Sequence, residues 1–184
     1  MQGYFVSSGG APRAITPGSV SIVVPSWGDS AEAIAAALTT RGAWALVAVA
    51  DQQVGGGDWP RTRAWLAPIE RTGRLVGIYV ADEPFLNGWT QAQVSSALAP
   101  VSAAGYRTMV AEASGSYTGW RPPSTWFGLT AYYDPLLWTL KRYQEDPGLN
   151  VVFGDRAAEG KWRDFAGWVG KPLFLWSLDM GDGR

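Results

Sequence analysis

The sequence predicts an α/β chain, a small or trimmed (β/α)8 barrel of the TIM type, on three observations. Short apolar runs alternate with helix-like segments from about Ser19 to the end. Several runs are continuously apolar, as strands covered on both faces by helices are. An acidic residue stands at or just past the end of most of them. An incomplete barrel or an open doubly wound parallel sheet is the alternative the same rhythm allows.

Taken in order, the runs are Val20 to Pro25, Trp44 to Ala50, Leu75 to Ala81, Tyr106 to Ala111, Phe127 to Tyr133, Asn150 to Phe153 and Pro172 to Leu178. A weaker run, Tyr4 to Val6, brings the count to eight. Helix signals fall between them. Asp29 to Glu32 and Thr90 to Gln93 both read as capping boxes, and the second opens a helix that Gly105 stops near Ala104. Trp59 to Arg71 and Glu159 to Val169 are further helices, and Pro135 after Asp134 reads as a cap followed by a first-turn proline. Eight strands in 184 residues are few residues for a fold that commonly takes about 250, so some crossovers must lack a helix. The stretch between Val6 and Val20 and the stretch Gly115 to Ser124 are the expected gaps, both rich in glycine, proline or serine. No repeat or linker divides the chain, and residues 1–184 are read as one domain.

Composition excludes several chemistries. The chain has no cysteine and no histidine, so disulfides, thiol nucleophiles, imidazole bases and the common zinc ligand sets are all unavailable to it. Acid and base work falls to Asp, Glu or Tyr. No cofactor motif and no metal-binding loop stands out, so neither a cofactor nor a metal is expected. A net charge of -1 without a basic cluster argues against a nucleic-acid partner. The first residues show no basic segment followed by an apolar stretch, and no run approaches membrane-spanning length; a soluble protein without a signal peptide is expected. Eleven tryptophans are the opposite anomaly, and flat amphipathic rings serve cores, sugar stacking and partner surfaces alike.

Asp51, Asp82, Glu83, Glu112, Asp134, Asp155 and Asp179 all fall at predicted strand ends. In a parallel β/α fold these ends converge on one face, where active sites of such barrels lie. Asp is a favoured helix N-cap, which accounts for Asp134 and competes for Asp51, Asp155 and Asp179. Glutamate caps poorly, and the helix after Glu83 already has Thr90 as its cap, so Glu83 and Glu112 call for another explanation. Glycoside hydrolysis needs two carboxyl groups in different surroundings, one to give a proton and one to attack or to orient water. Glu83, Glu112, Asp155 and Asp179 are the catalytic candidates.

The segment Gly77-Ile78-Tyr79-Val80-Ala81-Asp82-Glu83-Pro84 resembles the fourth-strand signature of many glycoside-hydrolase barrels. There a glutamate followed by proline is the general acid/base, which the resemblance places at Glu83. A second resemblance is to family 18 chitinase-like hydrolases, through Tyr133-Asp134 and through Trp176 within LFLWSLDMGD. It implies that Glu83 donates the proton, that Tyr133 and Asp134 position a sugar N-acetyl group, and that Trp176 lies beneath the sugar. That family carries aspartates where this chain has Val76, Tyr79 and Ala81. Its substrate-assisted chemistry would need Asp82 or Glu112 as a replacement. A conventional two-carboxylate mechanism and a sugar-binding barrel without catalysis both remain open.

Carbohydrate is therefore the expected partner, with Asp82, Tyr133, Asp134, Trp176 and Asp51 as binding candidates. Trp27, Trp89, Trp120, Trp126 and Trp138, in or near predicted loops, could stack on sugar or pack internally. The competing expectation is a non-catalytic component of a larger assembly, such as a phage tail or virion, contacting other subunits. In that case Glu83 would be paired to an arginine such as Arg107.

Overall fold

The computed structural model of the chain describes residues 2–6, 15, 17, 18, 20–25, 30–49, 58–130, 137–155 and 159–176; the side chains of 2–6, 137, 138, 155 and 176 are outside that description. The strands are β1 (Gln2–Val6), β2 (Val20–Val23), β3 (Trp44–Ala48), β4 (Leu75–Asp82), β5 (Thr108–Ala113), β6 (Trp126–Thr130), β7 (Val152–Asp155) and β8 (Leu173–Trp176). The helices among the described residues are α1 (Ala31–Thr40), α2 (Trp59–Glu70), α3 (Gln91–Ala103), α4 (Leu137–Glu145) and α5 (Glu159–Val169).

The strands form one all-parallel, curled sheet in sequence order, and β8 pairs with β1 through four residues from Gln2↔Leu173 to Phe5↔Trp176. Among the described residues β6 and β7 share the register pair Thr130↔Phe153, and the Asn150 N–H donates to the Phe127 carbonyl at 2.9 Å. The sheet thus curls round on itself. As expected, no helix stands between β5 and β6, where 114–125 form a loop. Most of the segment between β1 and β2 lies outside the described residues.

Local signals account for the helix starts. The α3 capping box is complete: Gln93 N–H donates to Thr90 Oγ1 at 3.2 Å and Thr90 N–H to Gln93 Oε1 at 2.8 Å. Gly105, at φ +85°, ends that helix as predicted. The α1 cap differs from the expected Asp29 box: Ser30 accepts from Ala33 N–H at 3.0 Å, and Asp29 is outside the described residues. Asp58 accepts the Arg61 N–H at 3.4 Å and caps α2, whose second residue is Pro60. Either oxygen type satisfies an otherwise unpaired N–H of the first turn.

Two apolar layers hold the sheet. Ile34, Leu38, Leu66, Ile78, Leu98 and Leu129 belong to the layer between strands and helices. Val20, Ile22, Leu46, Met109, Phe153 and Phe174 fill the inside of the curl. Alternate residues go to opposite layers, as the period of a strand requires.

Strand β4 breaks that alternation. Its register against β5 shifts between Tyr79 and Ala81, from Tyr79↔Met109 to Ala81↔Val110. Val80 and Ala81 both join the helix-side layer, whereas Tyr79 belongs to the interior. This extra residue is a bulge, and beyond it the parity of the strand is reversed. Three strands also end later than the sequence predicts, β4 at Asp82, β5 at Ala113 and β7 at Asp155, which puts Asp82, Glu112 and Asp155 inside strands. No described helix is long and apolar enough to cross a membrane.

At Gly128 strands β6 and β7 approach closely, since a Cβ there would collide with the Val151 carbonyl and press on the Phe153 ring. Gly128→Ala should lose about 1–3 kcal/mol in chemical denaturation by overpacking. Gly167→Ala, in a helix with open space around it, should gain up to about 1 kcal/mol.

Candidate active site

Glu83 follows directly on β4, and its N–H continues the ladder by donating to the Ala111 carbonyl at 2.8 Å. Its φ of +45° is the one positive value at a non-glycine residue among the described residues. A glutamate held there stores roughly 1–3 kcal/mol, which the neighbouring contacts must offset. Those contacts are visible. Asn87 N–H donates to the Glu83 carbonyl at 3.0 Å, and Trp89 N–H to the Pro84 carbonyl at 2.8 Å, winding residues 84–88 into a tight turn. The Glu83 side chain is buried, and its Oε1 accepts the Thr130 hydroxyl at 2.5 Å.

Glu112 is fully buried and its carboxylate is engaged on both oxygens. Oε2 accepts the Phe85 N–H at 2.9 Å, and Oε1 accepts the Ala113 N–H at 2.9 Å together with the Ser116 hydroxyl. Its neighbours Met109 and Ala111 face the interior and Val110 the helix side, so alternation turns Glu112 to the helix side too. The carboxylate therefore ties the Glu83 turn to the end of β5. The Thr130 hydroxyl lies 3.3 Å from the Glu112 carbonyl oxygen as well, and the Thr130 carbonyl accepts the Ser114 hydroxyl at 2.6 Å.

Asp82 is the exposed carboxylate of the group, paired across the sheet with Ala111. Tyr79, from the interior, donates its hydroxyl to Asp82 Oδ1 at 2.5 Å, which places both on the barrel side of β4. Ala81 turns to the helix side, so the position two before Glu83 does not face the interior. Asp155 and Trp176 are register partners at the ends of β7 and β8, and their side chains are outside the description. Asp51, Tyr133, Asp134 and Asp179 lie outside the described residues, as does Trp27. The structure thus brings Asp82, Glu83 and Glu112 to one strand-end region and leaves Glu112 as a brace within it.

Arg107 precedes β5, at the strand starts, and its guanidinium lies over the Trp126 ring at 5.9 Å. Trp126 opens β6 and so sits at that same end, away from the loops after the strands. Of the other tryptophans, Trp89 is half-buried against the helix-side layer, and Trp120 meets Phe85 edge-on at 5.5 Å. The β5–β6 loop thereby leans on the Glu83 turn.

That loop is strapped down from α4. Asp146, just past α4, accepts the Tyr117 hydroxyl, the Gly148 N–H at 2.8 Å and the Arg121 guanidinium at 2.5 Å. Burial pushes the Tyr117 phenol up to about 12, and the hydrogen bond to Asp146 adds to that. Burial also acts to raise the Asp146 carboxyl, but the Tyr117, Gly148 and Arg121 donors outweigh it and hold the group below its ordinary value. Sequence reading missed Thr130, Asp146 and Ser116. Thr130 passes as a β-branched strand former, and Asp146 as a turn residue.

Among the described residues no cluster of three or more acidic side chains is arranged to hold a metal ion. A scan against protein-family models finds no match, and a search of curated proteins finds none either.

Because the folded Asp146 value lies below the unfolded one, its contribution to stability is present above the ordinary aspartate range and is lost as pH falls through the folded value. The acid limb of a thermal-stability profile should therefore be shallower in Asp146→Asn, with lower stability than the unsubstituted protein at neutral pH. Equal profiles would remove Asp146 as the strap of the loop.

Proposed function

We propose that the chain is a carbohydrate-active protein on a trimmed (β/α)8 barrel of the TIM type, a glycoside hydrolase with Glu83 as general acid/base. The observation that carries this reading is the state of Glu83. A carboxyl group at the end of a central parallel strand is kept in a costly backbone conformation, buried, and given a hydroxyl partner. Strain of this kind collects at functional sites, where the surroundings over-determine the geometry.

In the reaction Glu83 would protonate the glycosidic oxygen as the C–O bond breaks, and a charged carboxylate would attack the anomeric carbon or orient water. Asp82, exposed beside Glu83, Asp155 and Asp179 compete for that second role. Glu112, engaged by three donors, suits a bracing role better. The resemblance to family 18 favours an N-acetylated sugar held by Tyr133 and Asp134 over Trp176. The helix-side orientation of Ala81 favours a two-carboxylate mechanism over assistance from that sugar's own amide.

A second reading, a non-catalytic subunit of a larger assembly such as a phage tail or virion, is favoured by large exposed aromatics. Trp168 on α5 is 76% exposed and Trp44 is 41% exposed, as contact residues are before a partner covers them. Arg107, at the opposite strand ends, is not placed to be the arginine partner of Glu83 that this reading would use.

Hydrolysis of chitin, peptidoglycan and β-glucan oligosaccharides by the purified protein separates the two. Glu83→Gln should lower kcat by about 10²–10⁴-fold at unchanged fold stability. Cleavage indifferent to that substitution would remove Glu83 from the mechanism, and no cleavage of any glycan would leave the assembly reading in force.

A further inference from the structure

Thr130 presents one hydroxyl proton to two acceptors, the Glu83 carboxylate oxygen at 2.5 Å and the Glu112 carbonyl oxygen at 3.3 Å. A threonine hydroxyl can donate to only one acceptor at a time while its oxygen still accepts. The site is buried, so a partner lost on one side is not readily replaced by bulk water. We propose that Thr130 is a positioning residue that serves both protonation states of Glu83, switching its proton between Glu83 and the Glu112 carbonyl. This inference rests on the reading of Glu83 as the acid/base.

With Glu83 charged, the Thr130 proton points to Oε1 across the 2.5 Å contact. With Glu83 protonated, its O–H donates to Thr130 Oγ1, and the Thr130 proton turns to the Glu112 carbonyl. One turn of catalysis uses both arrangements. Glu83 gives its proton to the leaving oxygen as the glycosidic bond breaks, and Thr130 rotates its own proton to the carboxylate left behind. Where a second carboxylate attacks the anomeric carbon as the leaving oxygen departs, water then displaces that carboxylate, its hydroxyl bonding to the carbon and its proton passing to Glu83, and Thr130 rotates back. The Glu112 carbonyl is held beside Thr130 by the pairing of β5 and β6 at Glu112↔Leu129 and Ala113↔Thr130. Thr130 is fixed on the other side by Phe153.

The test has two arms. In the kinetic arm, Thr130→Val should lower kcat on the order of 10- to 100-fold with KM little changed, and Thr130→Ser should restore it to within a few-fold. A valine variant with full kcat would overturn the proposal. The second arm needs no activity and no variant that has to fold: neutron diffraction from deuterium-exchanged crystals grown well above and well below the ordinary glutamate range. The Thr130 deuteron should point to Glu83 in the first and to the Glu112 carbonyl in the second. A deuteron in one place at both pH values overturns the switch. Should the unsubstituted protein cleave no glycan, the hydrolase reading fails on that result alone, and the deuteron positions still decide the role of Thr130.

Discussion

The extra residue in β4 is the constraint on which the strand-end region depends. Without the register shift at Val80, Ala81 would face the interior and Asp82 the helices. With it, Asp82 rises on the barrel side above Tyr79, and the chain reaches Glu83 out of phase with its own strand. The left-handed turn at Glu83 then corrects the direction of the chain while its N–H stays bonded to Ala111. A bulge costs ladder hydrogen bonds locally, and here the Glu112 carboxylate and the wound turn 84–88 offset that loss.

Glu83 and Glu112 show how differently one residue type is used at neighbouring strand ends. The Glu112 carboxylate takes three donors, two of them backbone N–H groups, and ties the Glu83 turn to the end of β5. Glu83 has a hydroxyl partner, which can reverse its donor role in a way that a backbone N–H cannot.

The rhythm of strands and helices was legible in the sequence because it rests on local signals. The Thr90 to Gln93 box, the Gly105 stop, the bounds of the helix at Glu159 to Val169 and the helix-free 115–124 segment all follow from capping chemistry and turn residues. The Ser30 cap was displaced by one residue because Ser and Asp cap equally well. What no pattern announced was the bulge, since Val80 and Ala81 suit either face of a strand. The orientation of Glu112 was hidden for the same reason: its strand runs two residues further than its apolar run suggests. Thr130 and Asp146 were out of reach because their roles come from partners 47 and 29 residues away in sequence.

The pairing of the first strand with the last has a consequence for how this chain must be made. While it is being synthesised, β1 has β2 on one side and an open row of backbone donors and acceptors on the other, until Leu173–Trp176 has left the ribosome. Contacts so distant in sequence form slowly, and an unpaired strand edge can meanwhile recruit a neighbouring nascent chain. Expression yield should therefore respond to temperature and chaperone supply more than the stability of the finished fold would suggest.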